Sequence, residues 1–181
     1  MTSSTRLLDA PAMGRVLVRM ASEVIEHAAG GPPVVLVGIQ RRGVQLADRL
    51  APLIEPHLDV PLRRGTLDIT LYRDDLQAIG PRPVVRETRL PPDIQGTTVV
   101  IVDDVLFTGR TVRAALDEIA DFGRPRRVLL AVLVDRGGRE LPIAADIAGQ
   151  VITTTAGDRV AVMVQELDGE DAVDLVRGGV S

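Results

Sequence analysis

The sequence predicts an α/β fold, a mostly parallel sheet with helices on both faces, and three observations predict it. Apolar runs at residues 34–37, 98–102 and 127–134 are nearly continuous rather than alternating, as expected of strands covered on both sides. The first two lead through a short glycine-containing loop into residues with helical spacing, the third into Asp135-Arg136-Gly137-Gly138, which is the strand-loop-helix rhythm of a parallel sheet. Hydrophobic residues make up 45% of the chain and aromatic ones only 2%, so the core must be built from Val, Leu, Ile and Ala.

Taken in order, residues 13–29 carry an amphipathic helical pattern closed by Gly30-Gly31-Pro32-Pro33. Strand 34–37 runs into Gly38-Ile39-Gln40-Arg41-Arg42-Gly43 and then a helix over 44–54 that stops near Pro56. Residues 62–72 have a strand pattern, and 73–92, rich in charge, Pro and Gly, read as an excursion between strands. The greasy strand 98–102 precedes a helix marked by Val112, Ala115, Leu116 and Ile119. Strand 127–134 follows, and residues 160–167 have the pattern of a last edge strand. With 181 residues and no repeat, low-complexity tract or linker, one domain spanning 1–181 is expected.

Composition excludes several chemistries. There is no cysteine, hence no disulfide, thiolate metal site or cysteine nucleophile. Every one of the 21 basic residues is arginine, so neither a lysine phosphate loop nor a Schiff base is available. The 25 acidic residues leave a net charge of −4, with no global attraction to nucleic acid. Residues 1–9 lack a signal peptide's apolar core and no run reaches membrane-span length, which predicts a cytoplasmic protein without a membrane partner. His27 and His57 lie on helical patterns away from the loops and read as structural or surface residues.

The chemistry concentrates in TTVVIVDDVLFTGRTVRAALDEI, residues 97–119. The loop after a buried parallel strand lies in the crevice where such sheets bind ligands, and the amides of 106–111 stand at a helix N-terminus that favours an anion. Gly109 allows close approach of backbone, and Thr108 and Thr111 add hydroxyls. Asp103 and Asp104 could cap the helix, but capping needs one carboxylate, not two. Beside a phosphate cradle, the pair calls for a ligand whose hydroxyls or divalent cation lie a few ångströms from its phosphate, such as a sugar phosphate with Mg²⁺. In the earlier loop, Arg41, Arg42 and Gly43 supply guanidinium donors and open backbone suited to pyrophosphate.

The stretch VVIVDDVLFTGRT closely resembles the phosphoribosyl pyrophosphate (PRPP) signature of type I phosphoribosyltransferases. VGIQRRGVQLADRL at 37–50, LDITLYRDDL at 67–76 and GRPRRVLLAVLVDRGGRELPI at 123–143 look like the branch of that family that regulates pyrimidine operons and also acts as uracil phosphoribosyltransferase. The resemblance covers nearly the whole chain and is weakest at 1–9 and beyond 167.

It implies the type I phosphoribosyltransferase fold with a flexible hood over about 67–92, and conversion of uracil and PRPP to uridine monophosphate (UMP) and pyrophosphate. Asp103 and Asp104 would act on the ribose; Val105, Leu106, Phe107, Thr108, Gly109, Arg110 and Thr111 would hold the 5-phosphate; Arg41, Arg42, Gly43 and Arg73 the pyrophosphate; and Val134, Asp135 and Arg136 would border the base. Mg²⁺ would be bound mainly through PRPP. Purine-type relatives place a carboxylate where this chain has Phe107, which argues against a purine substrate. The resemblance further implies a homodimer or higher oligomer and UMP-dependent binding to pyrimidine operon leader mRNA, with Arg15, Arg19, Arg139 and Arg159 as contacts. The family's usual DRGHREL is here DRGGREL, and Ala144, Gln150 and Ala156 stand at usually basic positions, with Val18 and Ser22 replacing polar ones. RNA binding is therefore expected to be weaker and more salt-sensitive than in relatives.

Overall fold

The computed structural model describes residues 3–69 and 87–178. Arg73 and the central part of the expected hood lie outside them.

Five strands form the parallel sheet: β2 (Val34–Ile39), β3 (Arg63–Leu67), β4 (Thr98–Leu106), β5 (Arg127–Asp135) and β6 (Ile147–Val151). Their order is β3-β2-β4-β5-β6, and every pairing within it is parallel. Alternation along the strands sorts the core into two layers. Leu36, Val100, Val102, Leu129 and Leu133 face helices α1 (Ala10–Ala28) and α2 (Arg42–Ile54), whereas Val35, Val37, Val99, Ile101 and Val132 face α3 (Arg110–Phe122). The sequence therefore reads as continuously apolar because both faces are covered. The observed strands and helices agree with the expected α/β architecture, helices on both faces of a parallel sheet.

Residues 160–167 depart from the expected edge strand. β7 (Arg159–Met163) belongs to a separate antiparallel sheet with β1 (Ser4–Leu8) and β8 (Ala172–Val176), ordered β1-β8-β7. Gln165–Asp168 then form one helical turn, α4, held by the Asp168 carboxylate accepting from the Val164 amide at 2.8 Å. The main-sheet edge is β6 instead, whose Ala148, Gly149 and Gln150 hide it from a strand pattern. A side chain at Gly149 would strike the Leu133 carbonyl, Val16 and Met20, so glycine there is what lets α1 lie directly on β6. On the opposite edge the chain returns alongside β3, with Thr66 and Arg89 exchanging backbone hydrogen bonds of 2.7 and 2.9 Å.

Candidate active site

Strand β4 places both carboxylates. It continues beyond residue 102 to Leu106 because β5 stays paired with it, Asp103 opposite Val132 and Leu106 opposite Asp135. Asp103 is buried and Asp104 half-buried. Each carboxylate is steadied by the next amide: Asp104 N–H donates to Asp103 and Val105 N–H to Asp104, both at 2.9 Å. Neither aspartate caps α3, whose N-cap is Gly109 at φ +92°. That left-handed conformation suits glycine, and a Cβ there would press on Ile143 and Leu141 at 3.3–3.4 Å. Thr108 Oγ1 accepts weakly from the Arg110 amide at 3.3 Å, and the amides of the first turn of α3 have no intrahelical acceptor. The loop is thus built as an anion cradle beside an acidic pair.

The loop before α2 reaches the same edge. Gly38 and Gly43 are both required by close packing: a Cβ on Gly38 would lie 2.5 Å from Val44 Cα, and one on Gly43 would collide with the Val102 carbonyl. Gly43 therefore seats the α2 N-terminus directly on the strand that carries Asp103. The Gln40–Arg41 peptide is cis. Arg41 is exposed. Arg42 forms a fork onto Asp168 at 2.8 and 3.1 Å; that hydrogen bond raises its pKa, and the nearby charge of Asp104 adds to the effect. One of the two expected pyrophosphate arginines is therefore shared with the small sheet's α4 turn.

The end of β5 completes the crevice. Arg136 N–H donates to the Leu106 carbonyl at 3.1 Å, which locks β5 against the phosphate loop. Its guanidinium is buried, donating to Thr154 Oγ1 and the Asp158 carbonyl at 3.2 and 2.7 Å, and it lies 3.9 Å from the centre of the Phe107 ring. Burial lowers its pKa. Arg136 thus holds the 154–158 loop with its side chain. Asp158 is pinned by Thr155, the Gly178 amide and Arg177, and the Thr155 hydrogen bonds pull its pKa down to about 2. Phe107, Arg136, Gly138 and residues 154–158 line a cavity of about 360 Å³.

Of the four arginines expected to meet RNA, Arg15, Arg19 and Arg159 are exposed and Arg139 is half-buried. Arg19 donates to the Gly149 carbonyl and pairs with Glu23, and Arg139 is consumed by contacts to Phe107, Gly137, Ile143 and Asp135. Sequence reasoning missed these commitments, together with Arg49, which bridges Glu166 and Asp171. The spacing of four between Arg19 and Glu23 and between Asp135 and Arg139 was a local signal for those two pairs. The contacts of Arg19 to Gly149, of Arg139 to Phe107 and of Arg49 to the C-terminal carboxylates join residues far apart in sequence and leave no local pattern.

An acidic pair ending a central parallel strand, flanked by a glycine-turned helix N-terminus and an arginine-bearing loop, suits a ligand that carries both hydroxyls and phosphate. The chain matches the Phosphoribosyl transferase domain over residues 3–164 and belongs to that family. Within it, the chain belongs with the bifunctional PyrR proteins: it is 55% identical to Bifunctional protein PyrR of Chloroflexus aurantiacus over the full length of both, and 54% identical to that of Thermus aquaticus over 97% of each. The fold matches solved hypoxanthine phosphoribosyltransferases. One from Trypanosoma cruzi has a TM-score of 0.73 at 21% identity, covering 95% of this chain and 94% of that one, and one from Staphylococcus aureus has 0.70 at 18%, covering 98% and 92%. Among the described residues, no helix is long and apolar enough to cross a membrane.

Proposed function

We propose that this protein is a uracil phosphoribosyltransferase that also binds pyrimidine operon leader mRNA in a UMP-dependent manner, acting in the cytoplasm as one domain. The observation that carries the transferase reading is the convergence of Asp103 and Asp104 with the Gly109 cradle and the Gly43 turn on one edge of the sheet.

The 5-phosphate of PRPP sits at residues 105–111, where first-turn amides and the Thr108 and Thr111 hydroxyls donate to it. Asp103 and Asp104 accept from the ribose hydroxyls and stabilise the positive charge that develops at the anomeric carbon as pyrophosphate departs. Uracil N1 forms the new bond and loses its proton; the pyrophosphate leaves toward Arg41, the Gly43 turn and Arg73. Uracil is bordered by Val134, Asp135 and Arg136. The Arg136 amide is already given to the Leu106 carbonyl, so main-chain recognition there falls to the second lone pairs of the Asp135 and Arg136 carbonyls. Mg²⁺, held mainly by PRPP and suited to the hard carboxylate oxygens of Asp103 and Asp104, would supply charge neutralisation for the leaving group. Phe107 offers no carboxylate for a purine proton, which favours the pyrimidine.

The decisive experiment is PRPP turnover with uracil, orotate and hypoxanthine in parallel, on wild type and on a folded Asp103→Asn/Asp104→Asn double variant. Uracil should be preferred and the double variant should lose turnover by about a hundredfold or more. Faster turnover of hypoxanthine or orotate, or a fully active double variant, would reject the assignment.

A further inference from the structure

Three successive carbonyls of the phosphate loop are captured by the chain that follows β5. The Leu106 carbonyl accepts from Arg136 N–H at 3.1 Å, the Phe107 carbonyl from Arg139 Nη1 at 2.8 Å, and the Thr108 carbonyl from the amides of Glu140 and Leu141 at 3.0 and 3.2 Å. In a trans peptide the N–H points opposite to the C=O. Turning the carbonyls of 106, 107 and 108 toward residues 136–141 therefore turns the amides of 107, 108 and 109 the other way, into the crevice. Two of these three holds are made by backbone. The middle one is made by a side chain.

Arg139 is unusually committed for a residue on an exposed loop. Nε donates to the Ile143 carbonyl at 2.9 Å, Nη1 also reaches the Gly137 carbonyl at 3.2 Å, and Nη2 pairs with Asp135. One planar guanidinium thus ties together the end of β5, the loop 137–143 and the phosphate loop. Burial pushes the Asp135 carboxyl up, but the Arg139 hydrogen bond and the Gly137 amide outweigh it and hold the group below its ordinary range. The neighbouring Arg110–Glu140 ion pair at 2.9 Å fastens the same two loops from outside.

We infer that Arg139 is a positioning residue for the phosphate cradle: by holding the Phe107 carbonyl it aims the Thr108 amide at the 5-phosphate. The inference rests on the transferase reading above and replaces a direct RNA contact as the main role of this side chain. Lysine should not substitute, because a compact ammonium with three donors cannot span acceptors on both loops in one plane.

Calorimetric titration with ribose 5-phosphate tests this without requiring turnover, alongside PRPP kinetics and thermal unfolding of wild type, Arg139→Lys and Arg139→Met. Both variants should bind ribose 5-phosphate about tenfold or more weakly, with KM for PRPP rising more than kcat falls. Tm should fall too, most in Arg139→Met, because Asp135 loses its partner, so affinity is read at a temperature where each variant is folded. Wild-type affinity in Arg139→Lys would overturn the clamp, since charge alone would then suffice. So would unaltered binding in both variants, the result expected of a guanidinium that serves only RNA. A loss confined to Tm and kcat would likewise overturn it. Should Arg139→Met fail to fold, Asp135→Asn decides: several-fold weaker ribose 5-phosphate binding supports the clamp and wild-type affinity defeats it. A wild type that does not bind ribose 5-phosphate would overturn the transferase reading and this inference together, whereas wild-type binding with an indifferent Arg139→Lys overturns the clamp alone.

Discussion

Phe107 and Gly138 are coupled in a way that neither residue shows alone. Gly138 has φ +74°, and a Cβ built on it would lie 2.5 Å from the Phe107 ring, whose other neighbour is the Arg136 guanidinium at 3.9 Å. A chain with a side chain at 138 must seat ring 107 differently, so the departure from the DRGHREL pattern is linked to the aromatic residue in the phosphate loop. Gly138→Ala should therefore destabilise through two effects, a left-handed backbone costing about 1–2 kcal/mol and displacement of the ring from its cation. In a Phe107→Ala background only the backbone cost should remain. A double-mutant cycle by denaturant unfolding would read this as a coupling of about 0.5 kcal/mol or more, and strict additivity would show that the ring moves aside freely. Asp103, Asp104 and Gly109 were legible from residue type and order. The Phe107–Gly138 contact was not, because it depends on how two loops from different strands meet.

The elements of the main sheet could be read because periodicity reports burial on one or both faces, as in β2, β4 and β5. The small sheet was harder to read, since β1 and β8 pair across nearly the whole chain, β1 buries only Leu8, and β8 buries Ala172, Val173 and Leu175 in a run too short to stand out. What fastens that sheet to α2 is charge. Arg49 forks onto Glu166 at 2.6 and 2.8 Å and onto Asp171 at 2.7 and 3.0 Å, while Arg42 forks onto Asp168. These hydrogen bonds hold all three carboxylates below their ordinary ranges. Depressed carboxylates contribute stability that is present above their unfolded pKa values and lost as pH falls through the folded ones. Arg49→Met, partly screened by solvent, should cost about 1–2 kcal/mol at neutral pH. The gap between variant and wild type should narrow once pH drops below about 4. Unfolding midpoints measured from neutral to acid pH check both statements; a gap that stays constant with pH would assign the loss to packing of the arginine stem.

At the scale of the whole molecule, the proposed function raises the question of how an acidic chain would hold RNA. A net charge of −4 gives no general attraction, so affinity must come from particular arginines placed against phosphates and from contacts to splayed bases. Arg15, Arg19 and Arg159 are all exposed, but Arg19 and Arg139 already donate to carbonyls and carboxylates of the fold, leaving Arg15 and Arg159 as the two exposed candidates without a side-chain hydrogen bond among the described residues. Fewer basic positions predict weaker binding, but the salt dependence runs opposite to the expectation drawn from the sequence. Each phosphate contact adds about −0.7 to the slope of log affinity against log salt on a single strand, so losing contacts makes the slope shallower, not steeper. Two contacts per chain correspond to a slope of about −1.4 for each subunit engaged. Binding of the protein to its own operon leader across a salt series, with and without UMP, should show that shallow slope and tightening by the nucleotide. Arg15→Ala and Arg159→Ala should each reduce the slope by about 0.7. Arg19→Ala should leave it nearly unchanged, since that guanidinium is already held by Gly149 and Glu23. A steep slope that falls on replacing Arg19 would mean that RNA pulls this arginine off β6, and the edge strand, rather than the free arginines, would then be the surface that reads the message.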